Sequence, residues 1–210
     1  MLFRSRVTYR ETISAKVDQE GIFDRQQAGV RQYAKVRILL EPDVKDAGIT
    51  VTSKMKPNVL PVELAEIFQQ SLRDQLGVGL IGYPLINVKA VAVDAHYVEG
   101  ETTETAIRAS VADAVRQALQ AVGTTLLEPI MKLEVVTPSD FVGNVSADLN
   151  SRHAIIVNTE LRGHLVVIIA EVALSKMFGY STDVRSLSQG RASFTMEPLR
   201  YDVAQNQQQD

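Results

Sequence analysis

Residues 178–191, FGYSTDVRSLSQGR, constrain the fold more than any other stretch of the chain. They read as a turn, a short amphipathic helix and the entry to a strand. Gly179 breaks the preceding element. Ser181 is placed to cap the helix, and Asp183 falls in the first turn, where a negative charge suits the positive end of the helix dipole. Gly190 lies just past the helix, where a left-handed residue is favoured. Phe178 is expected in the core. Upstream, residues 130–136 predict a strand, and Thr137-Pro138-Ser139-Asp140 predicts a helix start with a threonine cap and proline at the first helical position. That helix should run to about residue 151. Residues 154–157 and 165–172 read as strands around a hairpin near 161–163, and 192–199 as the last strand. The order is β-α-β-β-α-β, the ferredoxin-like split motif. Residues 202–210, DVAQNQQQD, read as a disordered tail.

The first half of the chain predicts a separate sheet with two helices. Residues 6–13 form a strand and 14–23, polar with Gly21, a hairpin connection. In residues 33–40, Tyr33, Lys35 and Arg37 alternate with Ala34, Val36 and Ile38, the mark of a half-buried strand. Pro42 stops it, because proline lacks the ladder donor. Residues 48–53 give another short strand. Residues 62–76 have helical period, with Leu64, Ala65, Phe68, Leu72 and Leu76 on one face and Gly77 at the end. Residues 85–93 are a strongly apolar strand. Thr102 or Thr103 then caps a second helix over 104–122, with Ile107, Val111, Ala114, Val115, Ala118 and Val122 as its buried stripe and Gly123 as its stop.

Composition excludes several classes. There is no window of about eighteen apolar residues, so no membrane helix is expected, and residues 1–10 are too short in their apolar part for a signal peptide. The chain has no cysteine, which excludes disulfides and thiolate metal sites and fits a cytoplasmic protein. His96, His153 and His164 lack metal-ligand spacing. The formal charge is −3, whereas bulk electrostatic binding of nucleic acid calls for a basic protein; any RNA-facing cations must therefore be locally concentrated. Residues 77–82 spell GxGxxG, but they follow a helix and precede Pro84, so they fit a flexible helix-to-strand turn, not a dinucleotide site. No serine elbow or nucleophile–base pairing is visible.

The segment 178–191, together with residues 127–129 (LEP) and 147–152 (ADLNSR), resembles the last domain of elongation factor G, the translational GTPase that moves tRNA through the ribosome. Residues 9–13 (YRETI), 82–84 (GYP), 88–89 (VK) and 93–94 (VD) resemble the domain before it. The resemblance implies an α+β chain of two domains. Residues 1–127 would be a domain IV resembling ribosomal protein S5, with a left-handed β-α-β crossover. Residues 128–201 would be a ferredoxin-like domain V, with 202–210 as the tail. No GxxxxGK[ST] P-loop is present, so the GTP and magnesium of such a factor belong to domains outside this segment, which is expected to be non-catalytic and to hold no cofactor or metal. The chain reads either as a segment of a longer protein or as a free-standing remnant; the first is favoured because its first strand begins almost at once. The implied partner is the ribosome, through ribosomal RNA, tRNA and mRNA, with no membrane or small-molecule substrate. A cytoplasmic monomer is expected.

The resemblance also places the contacts. Residues 26–33 fall on the family's glycine-rich GGRGQYGHV segment at the domain IV tip. Gly29, Arg31, Gln32 and Tyr33 match, while Ala28, Val30, Ala34 and Lys35 replace glycines and a histidine. Arg25, Arg31, Lys35 and Arg37 stand in a stretch without an acid, and Tyr33 could stack on a base. From composition alone, a solvated hairpin is the favoured reading of these residues, since charge runs are usually solvated faces; the resemblance reverses that preference. The second tip loop is 97–101 (YVEGE), where the family has YHEVDSSE. Tyr97, Glu99 and Glu104 match, Glu101 approximates the aspartate, and Val98 stands where the family has its tip histidine. In domain V the candidate ribosome contacts are Lys176, Tyr180, Arg185, Ser188, Gln189 and Arg191, with Arg185 and Arg191 as phosphate donors; an internal ion pair competes for Arg185. Three functions compete. One is a ribosome-binding segment acting in translocation; another is a paralogue specialised for ribosome recycling, motivated by the altered tips. The third is a stand-alone interaction module or small enzyme on the same scaffold.

Overall fold

The computed structural model describes residues 7–27, 29–43 and 48–204. Two compact units divide the chain: Arg10–Leu126, and Leu127 onward together with the N-terminal residues to Tyr9. The first unit contains β1 (Arg10–Thr12), β2 (Val17–Gln27), β3 (Val30–Pro42), β4 (Ile49–Ser53), α1 (Val62–Gln75), β5 (Val88–His96) and α2 (Glu104–Val122). Its sheet runs β2-β3-β5-β4. β2–β3 and β3–β5 are antiparallel, and β4 lies parallel to β5 with α1 as the crossover. The alternation expected in β3 is present: Ala34, Val36, Ile38 and Leu40 are buried, while Tyr33, Lys35 and Arg37 lie on the other face. Phe68, Leu72 and Leu76 of the α1 segment meet Ile107, Val111, Ala114 and Ala118 of α2 in one core with the sheet's inner face. Thr103 caps α2, its side chain accepting from the Ala106 amide, and Gly123 ends the helix at φ +69°.

One segment differs from its expectation. Residues 14–23 are not the hairpin connection; from Val17 they belong to β2, and the hairpin turns between Gln27 and Val30. Gly21 prompts the turn reading, yet it sits mid-strand beneath α2. A Cβ there would fall within 2.6 Å of the Ala114 Cβ and collide with the Ser110 carbonyl. The glycine is needed for close helix-to-sheet approach, a second use of glycine in strands. The first strand is also shorter than 6–13, and β5 starts three residues later than residue 85.

The GxGxxG turn has a structural occupant. Glu11 is fully buried, and its carboxylate accepts from the amides of Ile81 (3.1 Å) and Tyr83 (2.8 Å). The Glu11 amide donates to the Pro84 carbonyl, and the Glu11 carbonyl accepts from Ile86. A side chain at Gly79 would overlap the Glu11 carboxylate. The glycine-rich turn thus wraps an internal anion with backbone amides, as such concavities wrap external ones. Burying the carboxylate is tolerable because those donors replace its water.

The second unit contains β6 (Thr125–Pro138), a 3-10 turn (Ser139–Phe141), α3 (Val142–Ser151), β7 (Ile155–Arg162), β8 (Leu165–Ala173), a second 3-10 turn (Leu174–Lys176), α4 (Tyr180–Leu187) and β9 (Ser193–Val203). β6 crosses into it from the first unit, since Leu127 opens the second. Its pairings are antiparallel in the order β9-β6-β8-β7, which is the ferredoxin-like arrangement. Leu133, Val135, Leu149, Ile168, Ala170, Tyr180 and Val184 form its core. Three expectations are corrected. Thr137 does not cap a helix, because Pro138 is still in β6 and a 3-10 turn precedes α3. Ser181 does not cap α4, which begins one residue earlier behind a left-handed Gly179. The tail does not begin at 202: Asp202 and Val203 pair with Glu128 and Leu127, and Ala204 is buried. Residues 205–210 lie outside the described residues. Replacing Gly21 with Ala should force α2 off β2 and lower the unfolding free energy of the first unit by about 3 kcal/mol. Denaturant titration checks this, and a loss below about 0.5 kcal/mol would contradict the packing described.

Candidate nucleic-acid interface

The two predicted tip loops meet. β3 leaves the β2–β3 turn and β5 ends at His96 beside Lys35. The chain then makes a tight loop before α2: the amides of Glu101 and Thr102 donate to the Val98 carbonyl at 3.1 and 2.9 Å, and the Val98 amide donates to the Thr102 hydroxyl at 2.9 Å. Gly100 takes φ +78° to permit it. Of the two candidate caps, Thr103 therefore serves the helix and buried Thr102 closes the loop. The Tyr33 amide donates to the Glu101 carbonyl (3.0 Å), and the Arg31 guanidinium reaches the Glu101 carboxylate (3.2 Å). Gly29, Arg31, Tyr97 and Glu99 are exposed at this end, with Gln32, Tyr33, Lys35, Val98 and Glu101 half-buried. Ala28 lies outside the described residues. Tyr33 meets His96 edge-on at 5.6 Å and lies under the Arg31 guanidinium at 4.7 Å.

The expected positive patch is corrected. No acid lies between Arg25 and Arg37 in sequence, but β2 supplies one to each of three of these cations across the sheet. Arg31 forms a fork with Asp24 (2.9 and 2.8 Å), Lys35 pairs with Glu20 (2.8 Å), and Arg37 forks onto Asp18 (2.8 Å at both nitrogens). Each partner sits two residues from the directly opposed position, the diagonal neighbour that long side chains reach. The Arg31 hydrogen bonds hold the Asp24 carboxyl below the usual carboxylate value, those of Arg37 do the same for Asp18, and the Glu20 hydrogen bond raises the Lys35 ammonium. Arg25 differs: it is exposed and stacks over Phe23 at 5.6 Å. Asp18 and Glu20 are hidden in the sequence because the segment that carries them, 14–23, reads as a hairpin connection, and Asp24 because the register that sets it diagonal to Arg31 is not legible there.

In the second unit the candidates separate. Lys176 is half-buried, and Arg185, Gln189 and Arg191 are exposed. Tyr180 and Ser188 are corrected: both are buried, at 2% and 0% exposure, out of reach of any external partner. The Ser188 hydroxyl donates to the Val184 carbonyl and accepts from the Ala192 amide. Burial pushes the Tyr180 hydroxyl well above the usual tyrosine value. Phe178, expected in the core, is 55% exposed. Arg185 makes no ion pair among the described residues; its carbonyl accepts from Gly190, whose φ of +76° fits the expected left-handed position. Arg191 lies over the Phe141 ring at 5.8 Å.

Arg152 joins the motifs of this unit. Its side chain is 13% exposed. It donates to Asp148 (2.8 Å), to the carbonyls of Lys176 (2.8 Å) and Phe178 (3.3 Å), and to Asp183, and it lies over the Tyr180 ring at 5.1 Å. Asp183 is thus both a first-turn acid of α4 and the partner of Arg152. Among the described residues no cluster of histidine and acidic side chains could hold a metal, and no helix is long and apolar enough to cross a membrane.

The chain is similar to known proteins in sequence and in fold. The family model described as "Elongation factor G, domain IV" matches residues 5–123, and "Elongation factor G C-terminus" matches 125–210. Elongation factor G of Fervidobacterium nodosum is 42% identical over 200 residues, which cover 95% of this chain and 29% of that protein. The Thermotoga maritima elongation factor G is 40% identical, covering 93% of this chain and 29% of its own length. Elongation factor G 2 of Desulfotalea psychrophila is also 40% identical, over 94% and 29%. A crystal structure from Thermus thermophilus superposes with TM-score 0.85 at 28% identity, covering 96% of this chain and 30% of that one. The chain therefore spans under a third of the length of the relatives it matches.

The ion pairs at the tip carry a pH dependence. Asp18 and Asp24 are depressed in the folded state, so their pairs are present above the ordinary carboxylate value and are lost as pH falls through the lowered folded value. NMR titration of their side-chain carboxyl carbons should give midpoints below 3.8; midpoints at or above it would mean the pairs do not persist in solution.

Proposed function

The chain belongs to the elongation factor G family, and from that membership we propose that it is the ribosome-engaging part of a translational GTPase, working in the cytoplasm on translocation of tRNA and mRNA. The first unit presents its tip, residues 29–33 and 97–101, to the decoding site of the small subunit, where it meets tRNA and mRNA. The second unit meets the large subunit, near the sarcin-ricin loop and the stalk base, through Lys176, Arg185, Gln189 and Arg191. GTP, with magnesium, is hydrolysed elsewhere in the full factor, and this chain acts by filling space and holding RNA.

One observation carries the reading. Two segments 68 residues apart in sequence are joined at one end of a sheet, by the Tyr33 amide on the Glu101 carbonyl at 3.0 Å. A probe that enters an RNA cleft needs such a joined end, and the Gly29 turn has open space around it.

A second reading has its own observation. Val98 offers no donor where the family has a histidine, and three of the tip region's cations are already paired with acids. Both features weaken the grip on phosphate and favour a factor specialised for another ribosomal task, such as recycling. Both readings predict salt-sensitive co-sedimentation of the intact factor with ribosomes, and its absence would sink both. A single-round translocation assay with that factor separates them: movement of tRNA at a rate dependent on GTP supports the first reading. Ribosome binding with no tRNA movement, but with subunit splitting, supports the second.

A further inference from the structure

We propose that Arg31 is a positioning residue, a strut that ties the β2–β3 hairpin to the 97–101 loop, and that the cation at this end left to meet an RNA phosphate is Arg25. This rests on the tip facing RNA, and its two halves are tested separately. Guanidinium donors lie in one rigid fork. In Arg31 three of the five N–H donors are used, from all three nitrogens: Nε and Nη2 donate to the two Asp24 oxygens at 2.9 and 2.8 Å, and Nη1 donates to Glu101 at 3.2 Å. One face lies on the Tyr33 ring at 4.7 Å. One cation facing two carboxylates sums to a net −1, a local field that opposes a phosphate. For Arg31 to grip RNA it would have to abandon the contacts that join the two loops.

Lys35 and Arg37 are excluded as phosphate contacts on the same ground, each being matched by Glu20 or Asp18. Arg25 differs from all three. Alternation along β2 puts it on the opposite face from Asp24. It is exposed, rests on the Phe23 ring at 5.6 Å, and has no carboxylate partner among the described residues. Stacking on an aromatic ring leaves the guanidinium edge, with its donors, pointing outward for a planar oxyanion. The division of labour follows: a neutralised ladder holds the shape on one face, and Arg25, the cation of this end without an acid partner among the described residues, supplies the charge on the other.

Two measurements on the 210-residue chain, as wild type and as Arg31→Ala, Arg31→Lys and Arg25→Ala, test this. Amide hydrogen exchange reads the Tyr33 N–H, and ribosome co-sedimentation across a salt series reads the number of phosphates neutralised. Arg31→Ala should speed Tyr33 exchange about threefold to fivefold, as expected for losing an exposed ion-pair network, with the melting temperature within about 2 °C of wild type. Its ribosome affinity should fall with the salt slope unchanged. Arg31→Lys, which can keep one carboxylate, should show an intermediate exchange rate. Arg25→Ala should leave Tyr33 exchange alone and lower the slope of log affinity on log salt by about 0.7–1. A slope lowered by Arg31→Ala with Tyr33 exchange unchanged would overturn the proposal, as would an unchanged slope in Arg25→Ala. If the wild-type chain shows no salt-dependent ribosome binding, the RNA-facing reading fails, and Tyr33 exchange alone judges the strut.

Discussion

The joint at Glu101 is the contact on which the working end of this chain depends. The residue contributes its carbonyl to the Tyr33 amide and its carboxylate to Arg31, so backbone and side chain bind the same hairpin. Neither contact is strong alone, since exposed ion pairs contribute about 0–1 kcal/mol. Together they close a ring through β3, β5 and the loop before α2. The loop is already constrained by Thr102 and by the Thr103 cap one residue later. Its ordering cost is met by local bonds, and little conformational freedom remains to be lost on binding a partner.

That end is rigid because the layer behind it is tightly seated. α2 begins at the tip loop and runs back over β2, touching it where Gly21 lacks a side chain. The close approach fixes the height of the helix above the sheet, and so the position of the loop that starts the helix. Glu11 plays a comparable part among the loops, gathering the 77–83 turn around one buried carboxylate. In the second unit Arg152 does the same for α3, the 174–176 turn and α4. Each unit is therefore organised by a buried or half-buried charge whose hydrogen bonds are supplied from several segments. This is the condition under which such a charge is tolerated inside a protein.

Much of this is legible in the amino-acid order. The α2 stripe, a threonine cap at 102 or 103 and the Gly123 stop follow from helical period and capping chemistry alone, and the split β-α-β-β-α-β motif follows from the spacing of apolar runs. The departures have a common cause. Local chemistry makes Gly21 a turn and Thr137 and Ser181 helix caps, yet tertiary contact decides each: a helix presses on the glycine, and β6 continues through Pro138. Gly179 takes the left-handed turn that makes Ser181 unnecessary as a cap. A hairpin placed too early hides the acids of β2, so the cations of β3 look free although the register matches them. The interior places of Tyr180 and Ser188 are equally invisible in the sequence, since only the packing of α4 on its sheet reveals which side of a short helix faces inward.

The proposed role puts a jointed end, its cations largely paired with acids, against RNA, which it would meet by shape and by few charges. This chain contains no cysteine, so once any cysteine elsewhere in the intact factor is replaced, an iron chelate can be tethered at one chosen position, Glu99→Cys, in that factor bound to ribosomes. Hydroxyl radicals generated there should cleave small-subunit RNA at the decoding site and the tRNA bound beside it. Cleavage confined to other regions of the ribosome, in complexes shown to be bound, would contradict the account.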